Sequence, residues 1–209
     1  MDRLALAHDL LRIGAVELRP SRPFTWASGR LSPIYTDNRL TLSYPEVRAR
    51  IADGFAERCA ELDLDAVAGT ATAGIAHAAF LAERLALPMC YVRSAAKGHG
   101  RENRIEGRVE TGARLVVVED LVSTGGSVLS AADALREVRA VPVAALAVFS
   151  YGLAAAEHAF EDAGLELHTL TGFDELREAA ASRLSADELA ALDAWRADPA
   201  AWSRARGGA

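Results

Sequence analysis

Two adjacent carboxylates, Glu119 and Asp120, follow a continuously apolar run at 115–118 and precede a Ser-Thr-Gly-Gly-Ser turn at 123–127. Successive backbone N–H groups in such a turn, together with the positive end of a following helix, form a binding site for a phosphate dianion. The carboxylates would repel that anion unless they bind something else, and the hydroxyls of a diol or Mg²⁺ would suit them. These residues therefore predict a site for a sugar phosphate with a free diol.

This segment has two alternative interpretations. A nucleoside-triphosphate P-loop ends in Gly-Lys-Ser or Gly-Lys-Thr, whereas no lysine follows Gly126. The second alternative has no function: the carboxylates end a solvated strand and 123–127 only caps a helix. The combination of an apolar strand, paired carboxylates and a glycine turn favours a ligand site.

The polar segment 93–108 is a second candidate because it contains Lys97, the only lysine in a chain with 23 basic residues. An ammonium is a compact, mobile point charge, so its use in an arginine-rich chain indicates a task there. The segment has little to bury, which is typical of a mobile lid, and its cations suit a polyphosphate. A solvated basic loop is the alternative, and it explains neither the lysine nor the position after a predicted strand.

A third turn, 69–75, consists of small residues between a predicted strand and a predicted helix. Its backbone N–H groups would also suit an anion, although close packing of helix on strand explains Gly69 and Gly74 equally well. We expect His77, on the helix that follows, at a helix surface or core edge rather than in catalysis. The same expectation holds for His8, His158 and His168.

Alternating strands and helices must position these three segments. The strands are continuously apolar, as expected when helices cover both faces of a parallel sheet. The pattern predicts an α/β fold with a Rossmann-like, doubly wound parallel sheet, whose ligands bind beyond the carboxyl ends of the strands. The predicted strands are 66–69, 88–93, 114–118, 142–149 and 165–170, and the predicted helices between them are 74–86, 127–139 and 153–163.

The region before this core predicts a helix at 2–13, short strands at 15–18 and 24–27, and a small β excursion at 28–35. A helix to about residue 62 follows, with Ser43 as N-cap, Pro45 in the first turn and Glu46 completing a capping box.

The region after the core is predicted to be helical from Phe173, with a second capping box at Ser185 and Glu188 and a frayed tail at 203–208. Without a linker or repeat, the chain is expected to be one domain. Its parts are an N-terminal helix and hood at about 1–42, a core at 43–170 and C-terminal helices at 171–209.

Composition excludes several classes of protein. A chain of 209 residues with 51% hydrophobic residues can bury a core without disulfides, and a net charge of −6 argues against a dominant nucleic-acid or anionic-membrane surface. Cys59 and Cys90 have neither the number of a disulfide framework nor the spacing of a zinc site, which favours a reducing cytoplasm. The chain shows no signal-peptide core and no apolar run long enough to cross a membrane.

The 115–127 string resembles the phosphoribosyl-diphosphate (PRPP) binding motif of the type I phosphoribosyltransferases. Three further stretches, 24–39, 69–75 and 93–107, are similar to the orotate phosphoribosyltransferases within that family. The match is in register from about residue 10 to 150 and weak beyond. It implies transfer of phosphoribosyl from PRPP to orotate, giving orotidine 5′-monophosphate for UMP biosynthesis. It also implies dependence on Mg²⁺, and a homodimer in which the 94–108 loop of one subunit closes over the site of the other.

By position, the resemblance implies that Glu119 and Asp120 bind the ribose hydroxyls. It also implies that the metal binds through PRPP, with these two carboxylates as candidate ligands. It implies that Lys97, His99 and Asp120 take part in catalysis. The pyrophosphate would be bound by Arg93, Lys97 and His99, beside a turn made of Thr70, Ala71, Thr72, Ala73 and Gly74.

The rest of the donor site would bind the 5′-phosphate, and residues of the N-terminal hood would enclose the base. Ser123 would contact both the 5′-phosphate and orotate. The remaining PRPP residues implied are Leu121, Val122, Thr124, Gly125, Gly126 and Ser127, and those implied for orotate are Phe24, Ser28, Gly29 and Arg30.

Some positions depart from the family pattern. Ala27 and Ser94 stand where some members have basic residues, and 150–152 lacks the arginine that pairs with the orotate carboxylate in others. We hypothesise that Arg30 or Arg39 supplies this cation. Two alternative functions are a purine or uracil acceptor, which the hood segment disfavours, and a PRPP-sensing regulator. The regulator would need a basic face or an added DNA-binding module, and the sequence shows neither.

Overall fold

The computed structural model of the protein describes residues 1–26, 28–94 and 104–209. Its N-terminal region is a helix followed by two small antiparallel sheets. These sheets contain the short strands predicted at 15–18 and 24–27 and the β excursion predicted at 28–35. Asp2 caps the helix by accepting a hydrogen bond from the N–H of Ala5. The elements are α1 (Arg3–Arg12), β1 (Val16–Leu18), β2 (Phe24–Thr25), β3 (Leu31–Ser32) and β4 (Ile34–Thr36), with β1 paired to β4 and β2 paired to β3.

The capping box predicted at Ser43 and Glu46 is wrong. Residues Asn38–Ser43 form a 3₁₀ helix, which Asp37 caps by accepting from the N–H of Arg39, so Ser43 ends one helix instead of starting the next. The following helix, α2 (Pro45–Cys59), begins after Tyr44 without a side-chain cap and ends three residues before the predicted end. Pro45 is tolerated at its first position because a proline has no N–H to satisfy there.

The core is a six-stranded sheet with helices on both faces, which confirms the predicted α/β class. Five strands run parallel in the order β10, β9, β8, β5, β6, and β7 is antiparallel at the edge beside β6. In chain order the elements are β5 (Ala66–Thr70), α3 (Gly74–Leu85), β6 (Met89–Val92), β7 (Ile105–Glu106), β8 (Arg114–Val122), α4 (Gly126–Glu137), β9 (Val141–Ser150), α5 (Ala154–Asp162) and β10 (Glu166–Gly172).

The central strand β8 alternates its side chains between two apolar cores. Val116 and Val118 belong to the core beneath α1, α2 and α3, whereas Leu115 and Val117 belong to the core beneath α4 and α5. The strand is longer than predicted, since its pairing with β9 continues as far as Val122. The two candidate carboxylates therefore lie within the strand and not after it.

The C-terminal region contains α6 (Phe173–Ala180), α7 (Ala186–Ala197) and α8 (Pro199–Arg204). Its predicted capping box is confirmed: Ser185 accepts from the N–H of Glu188, and the Glu188 side chain accepts from the N–H of Ser185. The frayed tail predicted at 203–208 is wrong, because Ser203 is fully buried and its hydroxyl donates to the carbonyl of Ala209.

His77 and both cysteines are buried. His77 is 1% exposed, so its expected position at a helix surface or core edge is wrong, and burial lowers its pKa to about 4. Cys59 and Cys90 are both free and buried.

Within the described residues, every helix is too short or too polar to cross a membrane.

Candidate active site

The small-residue turn after β5 packs directly against β8. Thr70 donates from Oγ1 to the carbonyl of Val118 at 2.8 Å, and the N–H of Ala71 donates to the carbonyl of Val92 on β6, also at 2.8 Å. A Cβ added at Gly74 would lie 2.3 Å from that same Val118 oxygen, so only glycine fits there. The peptide bond between Ala71 and Thr72 is cis, and Ala73 completes the turn.

Glu119 is the most buried carboxylate of the site, with 6% of its surface exposed. Its Oε2 accepts a hydrogen bond from the Ser127 hydroxyl at 2.9 Å, and its Oε1 accepts from the N–H of Asp120 at 3.1 Å. Burial raises the pKa of Glu119 to about 7, while the Thr70 and Ser127 hydroxyls act in the opposite direction. Burial also raises the pKa of Asp120 above its ordinary value. Both carboxylates would be stabilised by hydroxyl donors or a cation.

The glycine turn after β8 leaves the start of α4 open to a ligand. Gly125 precedes the helix with a φ of +85°, and a Cβ there would lie 2.7 Å from the ring of Phe160. Because glycine has no side chain, the first N–H groups of α4 have no side-chain cap from this position. A helix N-terminus in that state suits a phosphate. The turn also contains Ser123, which is half-buried, and Thr124, which is exposed.

A cleft of about 250 Å³ lies between this helix start and the turn after β5. Arg93 lines it, and within the described residues the buried Nη1 of Arg93 makes no hydrogen bond, while its ion pair with Glu106 spans 3.7 Å. Other lining residues are Thr70, Ala71, Ser94, Arg104, Gly126 and Ser127.

Arg104 was not singled out from the sequence, although the basic composition of 93–108 pointed to it. It donates from Nε to the carbonyl of Arg93 at 2.9 Å and from Nη2 to Ser130 Oγ at 3.0 Å. These bonds hold the guanidinium at the wall of the cleft. The two residues of this loop that were predicted for catalysis, Lys97 and His99, lie outside the described residues, as does Ala27 of the hood.

A second residue missed from the sequence connects the N-terminal region to the site. Asn38 is fully buried and donates from Nδ2 to the carbonyl of Asp120 at 2.8 Å. Tyr151 makes a parallel connection, because its hydroxyl lies 3.1 Å from Thr36 Oγ1 and its N–H donates to the carbonyl of Val122 at 3.2 Å. No local pattern marks such contacts, which join residues far apart in the chain.

The residues predicted to enclose the base lie on the β2–β3 hairpin, whereas Ser123 lies on the turn after β8. In the hairpin, the N–H of Gly29 donates to the carbonyl of Trp26, and the ring of Phe24 lies 5.5 Å from that of Tyr35. Among the described residues, the structure thus brings together Thr70, Arg93, Glu119 and Ser127, which were predicted for the donor, and places those predicted for the base on a separate element. The other hairpin residues predicted for the base are Ser28 and Arg30.

The donor set fits Mg²⁺ only with help from a bound substrate. Glu119 and Asp120 offer the oxygen ligands that Mg²⁺ prefers. In the part of the chain that the structure describes, no group of three or more His, Cys, Asp or Glu side chains is arranged to hold a metal. Mg²⁺ usually binds one or two carboxylates together with substrate phosphates, which matches this pair.

Comparison with known proteins gives consistent relatives. Residues 43–163 match the phosphoribosyl transferase domain family. An orotate phosphoribosyltransferase of Cutibacterium acnes is 53% identical over 203 residues, which cover 95% of this chain and 94% of that protein.

Solved structures agree in fold. The orotate phosphoribosyltransferase of Aeropyrum pernix superposes with a TM-score of 0.76 at 32% identity, covering 85% of this chain and 98% of that one. The enzyme of Mycobacterium tuberculosis H37Rv, solved in complex with PRPP, superposes with a TM-score of 0.67 at 27% identity, covering 84% and 99%. The chain therefore belongs to the phosphoribosyltransferase family, among the orotate phosphoribosyltransferases.

Proposed function

We propose that this protein transfers the 5-phosphoribosyl group from PRPP to orotate, giving orotidine 5′-monophosphate and pyrophosphate. The observation that carries the proposal is the buried Glu119 beside Asp120, hydrogen-bonded to the first turn of the helix that follows the glycine turn. This arrangement supports a site in which acceptors for a diol lie next to a site for an anion, as a phosphorylated ribose requires. The chain is 53% identical, over 203 residues, to the orotate phosphoribosyltransferase of Cutibacterium acnes, which supports orotate as the acceptor.

In the proposed complex, the 5′-phosphate binds at the start of α4, in the turn from Ser123 to Ser127. The ribose hydroxyls donate to Glu119 and Asp120, which compensates for the burial of these carboxylates. The pyrophosphate lies in the cleft lined by Arg93 and Arg104, near the turn at 70–74. Ser123 would contact orotate as well as the 5′-phosphate, as the resemblance implies.

The proposed reaction is a displacement at the anomeric carbon. Orotate N1 loses its proton to water and forms a bond to C1 of the ribose, while the bond from C1 to the pyrophosphate oxygen breaks. The electron pair of the broken bond leaves with pyrophosphate. Positive charge develops on the ribose and negative charge on the leaving group, so groups that neutralise pyrophosphate lower the barrier. The position of Arg93 in the wall of the cleft supports this role for it. The resemblance implies the same role for Lys97 and His99, and His99 could also donate a proton.

We propose that the reaction depends on Mg²⁺, which would bind together with PRPP. Glu119 and Asp120 would help to hold Mg²⁺ together with PRPP, and the metal would supply neutralisation of charge on the pyrophosphate. We also propose a reducing cytoplasmic setting, since Cys59 and Cys90 are free thiols.

We further propose a homodimer in which the 94–108 loop of one subunit closes over the site of its partner. Closure would exclude water, which otherwise hydrolyses the activated sugar. The test mixes two inactive variants, Lys97→Ala and Asp120→Asn, under conditions that allow subunit exchange. Recovery of part of the wild-type activity supports a shared site, and a mixture that stays inactive although hybrid dimers form argues for loops that serve their own subunits.

The function is tested by following the loss of orotate absorbance with PRPP and Mg²⁺, with uracil, hypoxanthine and adenine as alternative acceptors. We expect turnover with orotate alone. Turnover with another base would assign a different acceptor. PRPP binding without turnover of any base would contradict the enzyme and favour the PRPP-sensing regulator.

A further inference from the structure

Side chains of the C-terminal segment 185–209 contact the N-terminal region at Ser21, Trp26 and Leu31. The hydroxyl of Ser21 donates to Glu188 Oε1 at 2.8 Å. Trp26 meets Trp195 edge to face, with ring centroids 6.4 Å apart. The N–H of Leu31 donates to the hydroxyl of Ser203 at 2.8 Å. Two of these contacts reach the hood hairpin, defined here as β2, β3 and the turn between them.

Ser203 is the most constrained part of this junction. It is fully buried, and its hydroxyl accepts from Leu31 while donating to the carbonyl of Ala209 at 2.8 Å. The N–H of Ala209 in turn donates to the carbonyl of Gly29 in the hairpin turn at 3.1 Å. Removing this one hydroxyl would leave a donor and an acceptor without their partner, which is more costly than losing a solvated hydrogen bond.

Gly208 shows how closely the segment approaches the hairpin. A Cβ built at this position would lie 2.4 Å from Ser203 Oγ and 2.8 Å from Leu31 Cγ. Any side chain at 208 must therefore displace Leu31 or the Ser203 hydroxyl.

An aromatic chain continues from this junction to the donor site. The ring of Trp195 lies 5.3 Å from that of Tyr151, measured between centroids. Tyr151 hydrogen-bonds through its hydroxyl to Thr36 and through its N–H to the end of β8 at Val122. The C-terminal segment thus contacts the hood hairpin directly and is linked to the end of β8 through Tyr151.

We infer that the C-terminal segment 185–209 positions the hood hairpin for orotate, and that Ser203 is a positioning residue for the acceptor. This inference rests on the proposed function, in which hairpin residues enclose the base. Ser203 acts through Leu31 and Gly29 and not by touching substrate. Because the PRPP site is built on β5, β8 and α4, loosening the hairpin weakens orotate binding without weakening PRPP binding.

The main test is Ser203→Ala, with Asp2→Ala as matched control. Asp2 also accepts a backbone N–H, that of Ala5, but it caps α1 rather than contacting the hairpin. We expect the KM for orotate to rise about two- to tenfold in Ser203→Ala, the range that losing one hydrogen bond produces, with the KM for PRPP and kcat unchanged. Asp2→Ala is expected to leave both KM values unchanged.

Tryptophan fluorescence gives a readout independent of activity. The three tryptophans of the chain are Trp26, Trp195 and Trp202, and Trp202 lies on α8 next to Ser203. We expect Ser203→Ala to shift the emission to longer wavelength and to increase acrylamide quenching, as Trp26 becomes more exposed, whereas Asp2→Ala leaves both unchanged.

Gly208→Ala provides a second variant in case Ser203→Ala does not fold, and it is expected to change the orotate KM and the emission in the same direction. An unchanged orotate KM in a folded variant, or a rise in both KM values together, overturns the inference. If the wild-type protein does not use orotate, the proposed function fails. Unchanged fluorescence in both variants would then separately show that the segment does not hold the hairpin.

Discussion

Ser127 donates a hydrogen bond of 2.9 Å from its hydroxyl to Oε2 of Glu119, which joins the first turn of α4 to the central strand β8. The same short helix turn therefore holds one of the paired carboxylates and offers backbone N–H groups to an anion. This relationship fixes the spacing between the proposed diol site and the proposed phosphate site. It also keeps Glu119 buried, which makes its ionisation sensitive to ligands and to pH.

The first prediction concerns the pH dependence of stability. The pKa of Glu119 is raised by burial from 4.5 to about 7. Between these values the folded protein binds a proton that the unfolded chain has lost, so the free energy of unfolding falls as pH rises through this range. Glu119→Gln removes this effect. We expect it to be more stable than the wild type by about 1–3 kcal/mol at pH 8 and nearly equal at pH 4.5.

Urea denaturation of the ligand-free protein at several pH values measures this difference. Glu137→Gln, a change of an exposed carboxylate at the end of α4, is the control and should follow the wild-type curve. A gap between Glu119→Gln and wild type that does not grow with pH would contradict the burial of a protonated Glu119. The Gln variant should also have a raised KM for PRPP, since an uncharged amide is a weaker acceptor for ribose hydroxyls.

Local patterns identified the elements of the fold but not all of their ends. The apolar run at 115–118 predicted β8, yet the strand continues through Glu119 and Asp120 because the backbone ladder with Ala147 and Phe149 does not depend on side-chain polarity. Ser43 and Ser185 both begin a Ser-x-x-Glu pattern, but only Ser185 caps a helix, since Ser43 already ends the 3₁₀ helix.

In the candidate site, too, local patterns indicated some residues and missed others. Glycine spacing and paired carboxylates predicted the donor residues because these lie within a few positions of one another. The contacts of Asn38 with Asp120 and of Leu31 with Ser203 span 82 and 172 residues, so no local pattern contains them. The expected fraying of the tail failed for this reason, since its order comes from the distant hairpin.

A second prediction separates backbone strain from loss of the phosphate turn. Gly125→Ala places a side chain at a φ of +85° and against Phe160, whereas Gly112→Ala has nearly the same φ, +82°, with open space around it. Both should lose about 1 kcal/mol of stability from strain. Only Gly125→Ala should raise the KM for PRPP, by about tenfold or more, because it displaces the N–H groups that face the phosphate. Equal PRPP kinetics in the two variants would show that the turn does not bind it.

A third prediction uses Gly126, the first residue of α4. A Cβ added there meets nothing within 4 Å, so Gly126→Ala should fold and gain up to about 1 kcal/mol from its better helix propensity. The new methyl would nevertheless narrow the cleft that Gly126 lines. We expect a higher melting temperature together with an increase of about tenfold in the KM for PRPP. Unchanged PRPP kinetics in this more stable variant would place the pyrophosphate of PRPP outside this cleft.

The last prediction concerns the cation for the orotate carboxylate. Arg39 binds Asp37 through two hydrogen bonds of 2.7 and 2.9 Å, and its raised pKa reflects mainly Asp37, with Asp120 also contributing. Its neighbourhood therefore includes a carboxylate of the donor site, whereas Arg30 lies in the hairpin turn; both arginines are exposed. Of the two arginines proposed from the sequence, the structure favours Arg39.

Uracil, which lacks the carboxylate, makes the test specific. Arg39→Ala should raise the KM for orotate about tenfold or more, the loss of a charge-assisted hydrogen bond, while leaving the slow or absent use of uracil unchanged. Arg39→Lys keeps the charge but not the planar pair of donors, so it should recover only part of the affinity. Arg30→Ala serves as the matched variant, expected to stay close to wild type. If Arg30→Ala instead loses orotate affinity while Arg39→Ala keeps it, the carboxylate is bound by the hairpin, and Arg39 only stabilises the 3₁₀ helix through Asp37.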